Sequence, residues 1–240
     1  IRCIKSKKRE LFDVFIRIRI IIVSWRYVMG NPYKIAIIGG TGRVGRYIAT
    51  NAIQRGYKVR MLVRNPKKLL VKSDNIEVVE GQIQDIENIR SLLTGCEIVI
   101  NTFGQPSKEE PMYSQVTKNI MHVMKELNIS RYIGVAGGSL TIKHDQKSTL
   151  NYFGTKLFEF LFPKMMEDRK LEWEVLFSNK QVDWTLIRLP FVKDSLKSND
   201  IKESLTDMPG TKITNQDIAT FILDQINNQK YIHKAPFISH

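Results

Sequence analysis

Residues 36–49 read AIIGGTGRVGRYIA. A run of small and β-branched apolar residues ends at Ile38, and four glycines follow within seven residues: Gly39, Gly40, Gly42 and Gly45. From Val44 the apolar residues fall at helical spacing, with Ile48 and Ala52 on the same face and Gly56 as a stop. The order is strand, glycine turn, helix. One reading is an ordinary tight turn. The other is a site where a phosphate group approaches the backbone, because the N–H groups and dipole of a helix N-terminus favour negative charge. Gly39 and Gly42 then leave no Cβ in the ligand's way, Gly45 lets the helix lie close to the sheet, and Thr41 offers a hydroxyl. A GxxGxxG placed between the first strand and the first helix favours the second reading.

The rest of the chain continues the alternation. KVRMLVR (58–64), IEVVEG (76–81), EIVINTFG (97–104), RYIGVAGG (131–138) and WTLIRLP (184–190) read as strands. DIENIRSLLTG (85–95), residues 112–128 and TNQDIATFILDQINN (214–228) read as helices, the last opening with Thr214 and Asp217 at capping-box spacing. Residues 150–181 read as one or two helices with Pro163 as the break. The strands are continuous apolar runs, as expected of a parallel sheet covered on both faces. The expected fold is therefore α/β: a doubly wound, mostly parallel, Rossmann-like sheet in a single domain.

Composition limits the function classes. The 240 residues carry a formal net charge of +13, with 42% apolar and 25% charged residues. Residues 1–28 hold eight Lys/Arg against Glu10 and Asp13, so +6 of the +13 lies there and about +7 is spread over the remainder. Nucleic-acid binding is not expected from so diffuse an excess. The stretch VFIRIRIIIVSW (14–25) is broken by Arg17 and Arg19 and is shorter than a membrane-spanning segment. Met29 reads as a natural start, so 1–28 is expected to be a basic extension outside the fold and 29–240 the domain; the rival reading is a membrane-surface anchor. Cys96 is the one cysteine of that domain, which fits a cytoplasmic protein with no disulfide framework. His122, His144, His233 and His240 lack metal-ligand spacing, and no metal is expected.

The end of the second strand discriminates between nicotinamide cofactors. An acid there takes a ribose 2′-hydroxyl. This chain has LVRNPKKL instead, with Arg64, Lys67 and Lys68, which suits a 2′-phosphate and hence NADP; solvated surface charge is the alternative, more so for the two lysines. Ser139 follows the glycines at the carboxyl end of the fifth strand, where ligands gather in such sheets, and Pro190 and Phe191 close the sixth. Tyr152 and Lys156 form a YxxxK pair thirteen residues beyond Ser139. In the functional reading Tyr152 moves a proton, Lys156 lowers its pKa and Ser139 orients a carbonyl. In the structural reading Tyr152 is an aromatic on a helix face and Lys156 its solvated neighbour.

The glycine turn with its flanks (IAIIGGTGRVGRYIATNAIQRGYKVRMLVRNPKKL), then VVEGQIQDIENIRSLLTGCEIVINTFG, RYIGVAGGSL and DWTLIRLP, resembles the atypical short-chain dehydrogenase/reductases. The likeness runs from Tyr33 to the C-terminus and is greatest to their NAD(P)H-binding branch around the biliverdin reductase B type of flavin reductase. It implies that NADP lies across Gly39–Gly45, with Arg43 and Val44 in the turn, and against Arg64, Thr102, Phe103, Gly104, Ala136, Gly137 and Ser139. Gln82 stands where the family usually has an acid near the adenine, and an amide can still bond the adenine edge. The branch often lacks the Tyr–Lys pair and reduces flavins by direct hydride transfer. The expected function is an NADPH-dependent oxidoreductase acting on a flavin, quinone or small carbonyl acceptor, as a monomer or dimer. The alternative is a non-catalytic NAD(P)-sensing regulator. A sugar-nucleotide epimerase is disfavoured by the short stretch after Pro190.

Overall fold

The computed structural model describes residues 33–68, 73–105 and 109–240. Residues 1–28, and with them both readings of that segment, lie outside the described residues, as does the side chain of Lys68. The first strand, β1 (Lys34–Ile38), explains the architecture. Side chains alternate across a strand, and here both sets are buried: Ile35 and Ile37 enter one core, Ala36 and Ile38 the other. A strand with two buried faces needs helices above and below it.

The other long strands are β2 (Lys58–Val63), β3 (Ile76–Glu80), β4 (Ile98–Asn101), β5 (Arg131–Gly137) and β6 (Asp183–Leu189). The helices are α1 (Gly45–Gln54), α2 (Ile86–Leu93), α3 (Tyr113–Glu126), α4 (Thr149–Leu161), α5 (Pro163–Ser178) and α6 (Asn215–Asp224). Ile48 and Ala52 of α1 and Ile218 and Ile222 of α6 cover one face of the sheet. Leu92 of α2, Ile120 of α3 and Leu176 of α5 cover the other. On that side Trp184 of β6 is fully buried and meets Trp173 of α5 edge-on, with centroids 5.3 Å apart. Such a pair adds about 0.5–1.5 kcal/mol beyond its buried area. The expected doubly wound, mostly parallel sheet is thus present as one Rossmann-like domain.

The element ends follow local chemistry. Thr214 Oγ1 accepts the Asp217 N–H at 3.1 Å and caps α6, while the Asp217 carboxylate returns to the Thr214 hydroxyl at 2.6 Å rather than to its backbone N–H. Pro163 is the first residue of α5, where its missing N–H has no helical partner to lose, and the stretch divides into α4 and α5 there. Four three-residue strands escaped the sequence reading: β7 (Phe191–Lys193), β8 (Lys202–Ser204), β9 (Lys212–Thr214) and β10 (Phe237–Ser239). Three residues are too few to display a period. The sheet order is β3-β2-β1-β4-β5-β6-β10-β8, with β10 parallel to β6 and β8 antiparallel to β10, while β7 and β9 form a separate parallel pair. Strand order reverses between β1 and β4, which opens a crevice beyond their carboxyl ends.

Candidate functional site: a cationic cleft at the strand ends

A cleft of about 710 Å³ fills that crevice. Its floor is the glycine turn. Gly39 has φ +76°, and a Cβ there would lie 2.6 Å from the Thr102 carbonyl oxygen. Gly45 is tighter still, since a Cβ would sit 2.2 Å from the Gly39 oxygen. These two glycines are required by the turn itself, whatever it binds. Gly42 differs. Its N–H donates to the Gly39 carbonyl at 2.9 Å, and an added Cβ would meet only that same oxygen, at 3.0 Å. Gly42 lines the cleft, so a larger side chain would project into the ligand's space.

The turn delivers α1 end-on to the cleft. The helix begins at Val44 without a side-chain cap and has no acid in its first turn. Helices commonly place a carboxylate there; this one leaves its positive end open to an anion. Arg43 and Arg64 line the cleft, and among the described lining residues Glu109 is the single carboxylate. Arg64 and Asn65 continue from β2, with Asn65 Oδ1 accepting the Lys67 N–H at 3.0 Å to close a turn. The opposite wall comes from β4. Thr102 donates from its hydroxyl to the Ile38 carbonyl at 2.9 Å, and the Phe103 N–H donates to Asn101 Oδ1 at 2.9 Å. Asn101 is held in turn by the Tyr132 hydroxyl at 2.9 Å, whose pKa is raised chiefly by burial.

Of the residues singled out in the sequence, Gly39, Thr41, Gly42, Arg43, Val44, Arg64, Thr102, Phe103 and Gly104 line this cleft together. Gly45 lies under it. Gln82 does not line it, although Gly81, Ile83 and Gln84 do. From β5 the lining residue is Val135; Ala136 packs into the core, and Gly137 is exposed. Lys67 is exposed beyond the rim. The sequence reading did not single out Asn65, Gln105, Glu109 or Met112, all of which line the cleft. Gln105 immediately follows a strand-end glycine and was within reach of the strand-end rule. Glu109 and Met112 arrive by a loop with no such signal.

The three candidates for proton chemistry lie elsewhere. The Ser139 hydroxyl donates to Met166 Sδ at 3.5 Å, toward α5, and does not line the cleft. Tyr152 is 50% exposed on α4. Lys156 pairs with Glu159 at 2.8 Å, which raises its pKa, and its ammonium lies 5.7 Å above the Tyr152 ring rather than at the hydroxyl. Pro190 and Phe191 also stand apart from the cleft, and the Phe191 ring is exposed. Among the described residues no cluster of His, Cys, Asp or Glu is arranged to hold a metal ion, and no helix is long and apolar enough to cross a membrane.

An uncapped helix start, a glycine turn open at Gly42 and two arginines in one cleft fit a dinucleotide's phosphates. The chain belongs to the NAD(P)H-binding family, whose model matches residues 39–229. It is 24% identical over 221 residues to an isoflavone reductase homologue of Nicotiana glauca, covering 87% of this chain and 68% of that one. It is 24% identical over 156 residues to the uncharacterised protein YwnB of Bacillus subtilis, covering 64% of this chain and 70% of YwnB. The match to the photosystem II assembly factor Ycf39 of Cyanophora paradoxa, 31% over 105 residues, spans 42% of this chain but only 33% of that factor's length. Among solved structures, a Veillonella parvula short-chain dehydrogenase/reductase in complex with NADP superposes with a TM-score of 0.70 at 16% identity, covering 87% of this chain and 94% of that one. A candidate NADH-flavin reductase from Streptococcus pneumoniae gives 0.70 at 19%, covering 86% and 98%. The solved structures show the shared fold, and the family model shows an NAD(P)H-binding protein.

Proposed function

We propose that this chain is an NADPH-dependent reductase that passes a hydride to a flavin, quinone or small carbonyl compound. The observation that carries the reading is the arginine-bearing end of the dinucleotide cleft at Arg64. Gly42 and the α1 N-terminus hold the pyrophosphate, Arg64 takes the 2′-phosphate, and Thr102, Phe103 and Val135 form the end nearest the nicotinamide. The dinucleotide supplies the hydride, and the acceptor takes its accompanying proton from water. Such an exchange needs no side-chain proton donor, which agrees with the places of Ser139, Tyr152 and Lys156 outside the cleft. The solved NADP complex of similar fold and the candidate flavin reductase support the reading. The buried free thiol of Cys96 suits the cytoplasm.

Titration of wild type and Arg64→Ala with NADPH and NADH tests the cofactor. Arg64 is exposed, so the loss for NADPH is expected near the low end for a charged hydrogen bond, roughly 1.5 kcal/mol or tenfold. NADH affinity should hardly change, and equal losses for both cofactors remove Arg64 from the 2′-phosphate. The absence of Tyr152 from the cleft also favours a second reading, a dinucleotide-sensing regulator. Steady NADPH oxidation with an added acceptor supports the reductase, and binding without turnover supports the regulator.

A further inference from the structure

Val135 of β5, Phe103 just beyond β4 and Met112 at the entry to α3 line the cleft at the end assigned to the nicotinamide. All three are tied to one turn of α5, which carries Asp168, Arg169 and Glu172. Asp168 holds the entry to α3. That helix has no side-chain cap of its own, and Asp168 Oδ2 accepts the Tyr113 N–H at 2.6 Å and the Ser114 N–H at 3.3 Å. A carboxylate there meets both the orphan N–H groups and the helix dipole.

Arg169 reaches the other two. Its Nη1 donates to the Val135 carbonyl at 3.4 Å. Its guanidinium carbon lies 3.5 Å from the centre of the Tyr113 ring, and that ring packs on Phe103 with centroids 5.5 Å apart. One planar group thus touches the β5 wall directly and the Phe103 wall through Tyr113. Glu172 aims it. Glu172 Oε2 accepts Arg169 Nη1 at 2.5 Å, and Oε1 accepts the Thr117 hydroxyl of α3 at 3.0 Å. The two charged side chains are 14% and 3% exposed.

A buried ion pair is a poor device for stability alone. Desolvating two charges costs about as much as their attraction returns, and apolar residues of similar volume often serve as well. What the pair adds is direction, because a carboxylate fixes the plane of an arginine fork. Here the fork is aimed at the backbone and the ring that set two walls of one cleft, while Arg169 itself does not line that cleft.

We propose that Arg169, oriented by Glu172, is a positioning residue. It holds the Val135 and Phe103 walls at the spacing that immobilises the nicotinamide ring. The inference rests on the reductase reading for the place of the nicotinamide, and not on the identity of the acceptor.

The test separates the two ends of the ligand. Adenosine 2′,5′-bisphosphate carries the phosphorylated adenosine of NADPH and no nicotinamide, so it reports on the phosphate end alone. Both compounds are titrated by calorimetry against the full chain. The emission of bound NADPH is recorded beside them, since it rises when the reduced ring is held still and away from water. Arg169→Met combined with Glu172→Leu removes both charges and leaves neither buried alone. This variant should bind the bisphosphate as wild type does. It should bind NADPH roughly fivefold more weakly, a coupling of about 1 kcal/mol, and lose most of the gain in emission. Equal weakening of both compounds marks a purely structural role and overturns the proposal, as do unchanged NADPH affinity and emission. Wild-type protein that leaves the emission of NADPH at its free value overturns it too. If the double variant loses its fold, Arg169→Lys decides. Lysine keeps the charge beside Glu172 but has no planar fork to stack on Tyr113 while bonding Val135. Diminished emission with wild-type bisphosphate binding then supports the proposal, and wild-type emission overturns it. Emission that depends on Arg169, without NADPH oxidation by any acceptor, sinks the reductase reading and leaves the positioning role standing. NADPH oxidation with emission indifferent to Arg169 does the reverse.

Discussion

At the scale of single residues, the three glycines of the opening motif do different work. A Cβ at Gly45 would overlap the Gly39 carbonyl at 2.2 Å, and backbone cannot step aside as a side-chain tip can. Gly45→Ala is therefore expected to destabilise the fold by a few kcal/mol, about the cost of overpacking a rigid site, seen as a lower melting temperature. Gly42→Val meets mostly open cleft, so the fold should persist by circular dichroism while NADPH binding is lost. A folded Gly42→Val protein that binds NADPH normally would show that the turn is structural only. The spacing of the motif was legible because a phosphate turn is a local structure. The role of Gly39 was not, because the backbone that forbids it a Cβ is that of Thr102, just beyond β4. Nor was the place of Tyr152 legible: YxxxK spacing sets two side chains one helical turn apart but says nothing of which way that turn faces.

At the scale of elements, the loop from β5 to α4 is organised by a lysine the sequence did not advertise. Lys147 Nζ donates to the carbonyls of Gly138 at 3.1 Å and Ser139 at 3.2 Å, and to Thr155 Oγ1 at 2.9 Å. Beside it Arg188 of β6 and Asp145 form a fully buried ion pair at 2.6 Å. Burial pushes the Lys147 ammonium down to about 8. An unfolded lysine titrates near 10.4, so between about pH 8 and 10.4 the unfolded chain binds one more proton than the folded chain. Stability contributed through Lys147 should rise with pH across that window. Lys147→Met removes this dependence. Its destabilisation relative to wild type should be larger at pH 9.5 than at pH 7.5, by on the order of 1 kcal/mol. Melting temperatures at the two pH values check it, and a difference that does not change with pH refutes the assignment. The following helix, α4, buries only Thr155 and leaves Leu150, Phe153, Leu157 and Phe160 exposed, so the helix expected there forms but its apolar side chains do not point into the core. Periodicity reports that a stripe exists, not what covers it.

At the scale of the whole molecule, the sheet to β6 was legible because β1, β4, β5 and β6 are buried runs, while β3, largely exposed at the sheet's edge, still showed as a short β-branched run. The far edge, β10 and β8, was hidden because each strand is three residues long and joins the sheet by tertiary contact. The same division holds for the site. Its phosphate half comes from consecutive elements with a glycine signature, while Gln105, Glu109 and Met112 come from the stretch before α3, which carries no such local signal. Charge acts over the whole molecule too. The formal net charge of +13 attracts any phosphorylated ligand without regard to its detail, and salt screens that attraction beyond about 8 Å at physiological ionic strength. NADPH and NADH differ by one phosphate group of about −1.5 to −2 charge. If Arg64 meets that group, the affinity for NADPH should fall more steeply with added salt than the affinity for NADH. Arg64→Ala should bring the two slopes together, because the general field of the chain remains and the local contact is gone. Dissociation constants for both cofactors across a salt series, in wild type and variant, separate the two contributions. Slopes that differ equally in both proteins would place the phosphate on another cation, and among the described residues Arg43 is the other one lining the cleft.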